Sequence, residues 1–257
     1  MRKSHPLAPA IAAAMRDATV RLGSHPTLGE VTELAGFTCI DAGLGVSAAN
    51  VALPGPGAAS GIAALRELAT WFSARGINFR IDIPSHAPSA LMAAAMTLGL
   101  HFKERQLVML LERPLPVSSP RKLDVRIAAT LADVSDFCAI DAHEFGGEPL
   151  VASIVEAASE DPRVLLFVGT LQGRPVARIA AMLHGELATL HSLYVHPSVR
   201  GQGLGTEMTT AAIEAVLAPP NRPVALLSTL VAQPLYRRLG FVPIGEVVVL
   251  GVDLPLS

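Results

Sequence analysis

The chain has 257 residues, 51% hydrophobic and 16% charged, enough apolar material for one large or two small cores, which excludes a disordered chain. Its formal net charge of -2 excludes a nucleic-acid binder that works through a general basic surface. The two cysteines, Cys39 and Cys138, lie far apart without CxxC spacing, which excludes a disulfide framework and fits a reducing, cytoplasmic compartment.

The chain opens with "MRKSHPLAPAIAAAM". A basic end followed by small apolar residues is also how a secretion signal begins. Here Pro6 and Pro9 interrupt the apolar part, and the pattern runs on through Met15, Arg16, Asp17, Val20 and Arg21, so an amphipathic helix is the reading. A strand is expected at "NVAL" (50–53), a helix at 58–76, a strand at 77–83, a helix at 87–99 and a strand at 104–112. The mean hydropathy is +0.45, but the most apolar stretch, "ALMAAAMTLGL", is too short and too alanine-rich to span a bilayer. No membrane association is expected.

The segment 112–124, "ERPLPVSSPRKLD", is rich in proline and serine and has no period, so it reads as a linker. Next come a strand at "LDVRIAAT" and a helix from Leu131 with Thr130 as its N-cap. A second helix is expected over 148–161, stopping before Pro162. Residues 163–197 hold three strands, with turns at Gln172-Gly173-Arg174 and His184-Gly185-Glu186. His184 and Glu186, flanking a turn glycine, are expected in solvent. A helix over 204–218 sets Leu204, Met208, Ala211, Ala212 and Ala215 on one face. A buried strand over 223–232, a short helix ending at Gly240 and a last strand pair or bent strand over 241–254 complete the chain.

The two halves align on themselves. At an offset of 141, Gly99 meets Gly240, Val108 meets Val249 and Pro114 meets Pro255. At an offset of 143, Pro54 meets Pro197 and "NVAL" meets "LYVH". The near-equal offsets point to an internal duplication.

The stretch 193–208, "LYVHPSVRGQGLGTEM", places Arg200, Gly201, Gly203 and Gly205 between a strand and a helix start. Free N–H groups and the positive end of the helix dipole make such a turn an anion site, and glycines let the backbone approach a phosphate. Arg200 adds a fixed charge and the Thr206 hydroxyl another donor. The GxGxxG dinucleotide fingerprint fails because Thr206 follows Gly205, and a Walker A loop fails because no Gly-Lys-Ser/Thr follows. The pattern that remains is Arg-x-x-Gly-x-Gly after "LYVHP". It resembles the acetyl-CoA signature of the GNAT acyltransferase superfamily. Downstream, "PLYRRLGF" (234–241) is similar to that superfamily's second signature, a tyrosine followed by Gly-Phe.

This resemblance covers residues 122–257. It implies an α/β (α+β) fold of two GNAT-like domains, each a mixed central sheet flanked by helices: a degenerate domain at 1–115, a linker at 116–122 and a catalytic acetyltransferase domain at 123–257. Leu193, Tyr194 and Val195 inherit the strand that pairs with the pantetheine arm. Arg200, Gly201, Gln202, Gly203, Leu204, Gly205 and Thr206 inherit the pyrophosphate loop, and Tyr236 inherits the general acid for the leaving thiolate. The Val195 N–H is the candidate donor to the thioester carbonyl. Many family members carry a cofactor-contacting asparagine seven residues before the tyrosine; here that position is Thr229. The first half has "PGPGAASGI" at the loop position, with Gly57 for Arg200, Ser60 for Gly203 and Ile62 for Gly205, so the positive charge and the open space are both lost there.

The expected activity is acyl-CoA-dependent transfer, of acetyl from acetyl-CoA, to a small-molecule or protein amine. The alternative is an acyl-CoA-binding regulatory module without turnover. No metal is expected, since the eight histidines show no ligand spacing. The general base is not assigned: His191, a strand step from Leu193 on the same face, competes with a packed or solvated histidine, and His143, Glu144 and Glu148 compete with ordinary loop charges. The acceptor and the oligomeric state stay open.

Overall fold

The computed structural model describes residues 5–24, 29–43, 49–111, 121–140, 149–217 and 222–252. In chain order the elements are α1 (Ala8–Gly23), β1 (Glu30–Leu34), β2 (Phe37–Asp41), β3 (Val51–Pro54), α2 (Ile62–Ser73), β4 (Arg80–Pro84), α3 (Ser89–Thr97) and β5 (His101–Leu111). Then follow β6 (Asp124–Ile127), α4 (Leu131–Ala139), α5 (Pro149–Ser159), β7 (Val164–Leu171), β8 (Arg174–His184), β9 (Leu187–Val195), α6 (Leu204–Val216), β10 (Val224–Ser228), α7 (Gln233–Arg238) and β11 (Val242–Gly251).

The chain divides into two compact units, and neither is contiguous in sequence. One comprises Met1–Ala18 and Val108–Ile244, the other Thr19–Leu107 and Gly245–Ser257. This departs from the expected division at 1–115, 116–122 and 123–257; residues 116–120 of the expected linker lie outside the described residues. The physical reason is an exchange of strands. β11 enters the N-terminal unit at Gly245 and pairs antiparallel with β4 from Val247↔Pro84 to Gly251↔Arg80. β5 enters the C-terminal unit at Val108 and lies beside β10.

In the N-terminal unit the strand order is β1-β2-β3-β4-β11. β1 and β2 form a hairpin not foreseen from sequence, closed at Leu34↔Phe37 by Ala35 and Gly36 at φ 50° and 82°. Two left-handed residues in a two-residue loop match the twist of the flanking strands. β3 runs antiparallel to β2 and parallel to β4. Leu65, Leu68 and Phe72, spaced for one helix face, carry α2 onto this sheet, and Phe72 stacks on Phe79 at 4.3 Å. Leu250 of β11 is buried in the same core.

In the C-terminal unit the order is β5-β10-β9-β8-β7-β6. β6 to β9 are antiparallel neighbours, and β10 is parallel to β9. α4 starts at a full capping box: Thr130 Oγ1 accepts from the Asp133 N–H, and Asp133 Oδ2 accepts from the Thr130 N–H. α6 buries Leu204, Met208, Ala211 and Ala212 as the spacing predicts, with Ile213 and Val216, but Ala215 is exposed. The buried face has rotated toward the longer side chains, which bury more area than alanine. Gly169 of β7 makes room for this helix, because a Cβ there would meet Met208 Sδ at 2.5 Å. On another face of the sheet, Ile11, Ala14 and Met15 of α1 pack with Leu110 of β5, Leu187 of β9 and Ala225 of β10.

The element order β-β-β-α-β-α-β occurs twice, over β1 to β5 and over β7 to β11. Gly99 and Gly240, at φ 84° and 96°, both stand between a short helix and a long strand. The C-terminal unit takes α1 and the end of β5 from the first half of the chain. Residues 123–257 expressed alone are therefore expected to show no cooperative thermal transition by circular dichroism. In the full chain, Leu110→Ala, at a position with no solvent exposure, should lower stability by about 2–5 kcal/mol in denaturant titration.

Candidate active site

The site is built on β9, the turn after it and the start of α6. β9 carries a bulge. Arg178↔Tyr194 and Ala180↔His191 are both paired, so Ile179 of β8 faces two residues, Ser192 and Leu193. Ser192 sits at φ 54°, and the extra residue shifts the side-chain alternation by one. Before the bulge, Leu187 faces α1 and the Thr189 side chain bonds that of His191. After it, Leu193 and Val195 face α6, where a Cβ on Gly205 would meet Leu193 Cδ2 at 3.9 Å and Val195 Cγ2 at 3.8 Å. His191 and Leu193 therefore lie on opposite faces, against the expectation that one strand step keeps them on the same one. The cause is the bulge.

On its other edge β9 pairs with β10 only from Ala188↔Val224 to Leu190↔Leu226, although β9 continues to Val195 and β10 to Ser228. The strands part beyond Leu190. The His196 N–H donates to Val176 O of β8 at 2.8 Å. By alternation the Val195 N–H points the other way, into the fork. Val195 O, on that same edge, accepts from Arg200 Nε at 2.8 Å. Arg200 is thus folded back over the strand end, its guanidinium carbon 5.2 Å from the centre of the Tyr194 ring.

The turn closes with Gly201 and Gly203 at φ 78° and 87°, a conformation that costs any residue with a Cβ about 1–2 kcal/mol. Among the described residues, no atom beyond the adjacent residues lies within 4 Å of where either Cβ would be, so the space before the turn is open there. Gly203 is the N-cap of α6, and its carbonyl accepts from the Thr206 and Glu207 N–H groups. The N–H groups of Leu204 and Gly205 precede the helix ladder and point outward. The Leu204 side chain is buried in the core, so only its backbone serves this site. Gly205 has a different role from its neighbours: a Cβ there would lie 3.0 Å from Leu235 Cδ1 of α7, so it is needed for packing rather than for an open face.

Sequence reasoning missed Lys122. Its Nζ donates to Gln202 O at 2.9 Å, and the backbone N–H groups of Lys122 and Leu123 donate to Glu207 Oε2 at 2.8 and 3.0 Å. Arg121 pairs with Glu214, two helical turns further on. The segment before β6 is thereby fastened along α6, and a second cation stands at the glycine turn. The glycine pattern has no means of announcing it.

Tyr236 of α7 is buried, 6% exposed, and meets Phe241 edge-on at 5.6 Å. Burial pushes its hydroxyl up to about 12, so it stays protonated through the physiological range. Thr229 is exposed in the turn between β10 and α7, where its carbonyl accepts from the Ala232 N–H at 3.1 Å. His184 is not in solvent. Its Nε2 lies 3.0 Å from Thr189 Oγ1, and burial depresses its basicity. His191 Nε2 lies 2.7 Å from the same oxygen, and burial with His184 nearby lowers its pKa to about 4. His143, Glu144 and Glu148 lie outside the described residues.

In the N-terminal unit the equivalent loop is closed by the chain itself. The Gly55 N–H donates to Gly36 O at 2.9 Å, the Ala58 N–H to Gly55 O at 3.1 Å and the Ala59 N–H to Ala35 O at 3.0 Å. A Cβ on Gly36 would fall 2.8 Å from Ala58 Cα and Gly57 O. The β1–β2 turn is thus packed directly against this loop.

Residues 162–243 match the family described as the acetyltransferase (GNAT) domain. The fold of the whole chain is similar to that of a GCN5-related N-acetyltransferase from Kribbella flavida, with a TM-score of 0.71 and 20% identity over 96% of each chain. It is also similar to a GCN5-related N-acetyltransferase from Sphaerobacter thermophilus, with a TM-score of 0.65 and 17% identity over 99% of this chain and 97% of that one. A tandem GNAT protein from the clavulanic acid biosynthesis pathway aligns over 97% of both chains with a TM-score of 0.57 and 14% identity. No curated protein matches the sequence. The chain has the GNAT fold in tandem arrangement, and the residues that match the family, 162–243, contain the open glycine turn. No helix among the described residues is long and apolar enough to cross a membrane.

Two stability effects follow. Gly205→Val should cost about 1–3 kcal/mol through its approach to Leu235, read as a lower midpoint in thermal denaturation. His191 binds a proton near pH 6.5 when unfolded and only near 4 when folded, so stability is lost as pH falls from about 6.5 to about 4. A His191→Gln variant should lose less midpoint across that interval than the wild type.

Proposed function

We propose that the chain is an acyl-CoA-dependent acyltransferase that moves acetyl from acetyl-CoA to an amine, on a small molecule or a protein, by direct attack. The observation that carries this reading is the fork between β9 and β10 ending in an open, left-handed glycine turn at the head of α6, while the duplicate turn is filled. Gly203, Leu204 and Gly205 supply N–H groups for a pyrophosphate, and the positive end of the α6 dipole adds to them. Arg200, with both Nη groups unpartnered among the described residues, and Lys122 bring the countercharge. The free edge of Leu193–Val195 matches an extended amide-bearing arm, which completes the fit of these residues to coenzyme A.

Coenzyme A supplies the activated thioester when bound. The residues of this chain do the rest. The Val195 N–H is the donor toward the carbonyl oxygen, where charge accumulates on attack. Tyr236, kept protonated by burial, holds the proton that the departing sulfur requires. A cytoplasmic setting, without metal, nucleic acid or membrane, accords with the charge and cysteine usage.

Calorimetry should show coenzyme A binding to the full chain. Gly203→Val should abolish it, and Arg200→Ala should weaken it about 10–100-fold through the loss of charge-assisted hydrogen bonds. Tyr236→Phe should leave the affinity unchanged and slow thiol release with an amine acceptor by about 10²-fold. Unaltered turnover in that variant removes Tyr236 from the chemistry. Binding with no turnover on any amine instead supports a regulatory acyl-CoA-binding module.

A further inference from the structure

The segment that enters β6 reaches the glycine turn through a contact more specific than a charge near an anion site. Lys122 is exposed, yet its backbone is pinned on both sides. Glu207, in the first turn of α6, accepts from the N–H groups of Lys122 and Leu123 through one oxygen, Oε2, at 2.8 and 3.0 Å. The Leu123 side chain is buried, its Cδ1 3.1 Å from where a Cβ on Gly169 of β7 would stand. Asp124 then enters the ladder opposite Thr170, whose hydroxyl donates to the Asp124 carbonyl at 2.9 Å. From this fixed backbone the Lys122 side chain extends to the turn, where Nζ donates to Gln202 O at 2.9 Å.

Gln202 O belongs to the peptide that joins Gln202 to Gly203. In a trans peptide the C=O and N–H bonds point in opposite directions. A carbonyl held on the Lys122 side therefore sends the Gly203 N–H the other way. No backbone acceptor takes that N–H among the described residues. Gly203 stands at the head of α6, and its N–H is one of the three that the coenzyme A reading gives to the pyrophosphate. The ammonium also polarises the peptide it holds, which strengthens the N–H at the far edge as a donor.

The glycine itself does not fix that orientation. Gly203 has φ 87°, but glycine populates φ of either sign about equally. Rotation about Gln202 ψ and Gly203 φ would turn the peptide plane over at small cost. Gln202 O, in place of the Gly203 N–H, would then face the anion. Among the described residues Lys122 Nζ is the one donor to Gln202 O, so it is this side chain that selects the plane.

We propose that Lys122 is a positioning residue for the cofactor loop: by holding Gln202 O it turns the Gly203 N–H toward the pyrophosphate, and Glu207 sets Lys122 in place to do so. The inference rests on the coenzyme A reading. It gives the end of the segment that joins the two duplicated halves a task in cofactor affinity, one that the Arg-x-x-Gly-x-Gly pattern does not record. It also sets the sign of the Glu207 effect. By charge alone, a carboxylate near an anion site weakens binding. Through Lys122, the same carboxylate strengthens it. Removing Glu207 therefore has opposite outcomes on the two grounds.

The test is calorimetry of the full chain with coenzyme A. Lys122→Met, which keeps most of the stem and loses the ammonium, should weaken binding about 10-fold. Lys122→Arg, which keeps the charge and the donor, should bind within about threefold of the wild type. Lys122→Met should melt with the wild type, since the side chain is exposed. In about 1 M NaCl, where charges more than about 3 Å apart are screened, the ratio of wild-type to Lys122→Met affinity should persist. Glu207→Ala should weaken binding about 3–10-fold and add nothing further in the Lys122→Met background. Three results overturn the positioning role and leave the coenzyme A reading intact: Lys122→Met binding within about twofold of the wild type, a ratio that falls to about one in high salt, or tighter binding by Glu207→Ala. A wild type without affinity for coenzyme A overturns that reading, and the role of Lys122 with it.

Discussion

β9 is paired along its length on one edge and for three residues on the other, and the candidate site depends on that inequality. A strand inside a sheet has no spare backbone groups. One that leaves its neighbour halfway along exposes a row of N–H and C=O groups inside an otherwise dry sheet, and such groups are costly to leave unpaired. Arg200 satisfies one of them, Val195 O, and in doing so is itself positioned. The remaining groups are what an extended amide ligand would take. The bulge at Ser192 has the second effect. By shifting the alternation one residue, it turns Leu193 and Val195 toward α6 while leaving Thr189 and His191 on the α1 face. One inserted residue thus separates an apolar surface toward α6 from a polar one within a single strand.

The exchange of β5 and β11 gives the duplication a structural use. A duplicated domain whose copies each closed their own sheet would leave one copy free to decay. Here the end of β11 completes the N-terminal unit and the end of β5 completes the C-terminal unit. The N-terminal copy has lost the cradle but still supplies a strand and a helix to the unit that has the cradle. Its own loop shows how the loss is accommodated. Once Gly55 and Ala59 donate to the carbonyls of Ala35 and Gly36, no anion is needed to satisfy them.

Features fixed by local chemistry were legible in the sequence. The Thr130 cap, the glycine turn, the Gly240 stop and the α6 start all depend on a few adjacent residues with special backbone or side-chain demands. The β1–β2 hairpin was not legible, because Ala35 adopts φ 50° without being one of the residues that usually announce such a turn. Ser192 hides the bulge for the same reason. The strand exchange and Lys122 are products of long-range pairing, on which local periodicity is silent. His184 was misplaced because a residue beside a turn glycine is normally solvated, whereas here α1 arrives from the far end of the chain and covers it.

Glycines in one motif need not serve one purpose, and their surroundings separate them. Gly201 and Gly203 require positive φ and face open space, so what constrains them is the backbone and whatever binds before it. Gly205 has an ordinary helical backbone and is constrained by Leu235 of α7. Leu235 belongs to the helix that bears Tyr236, and Gly205 to the helix that follows the glycine turn. A side chain at Gly205 would press on Leu235 Cδ1, on the helix that carries the proposed proton donor, Tyr236. The same motif therefore fixes both ends of the proposed ligand, one through backbone conformation and the other through packing.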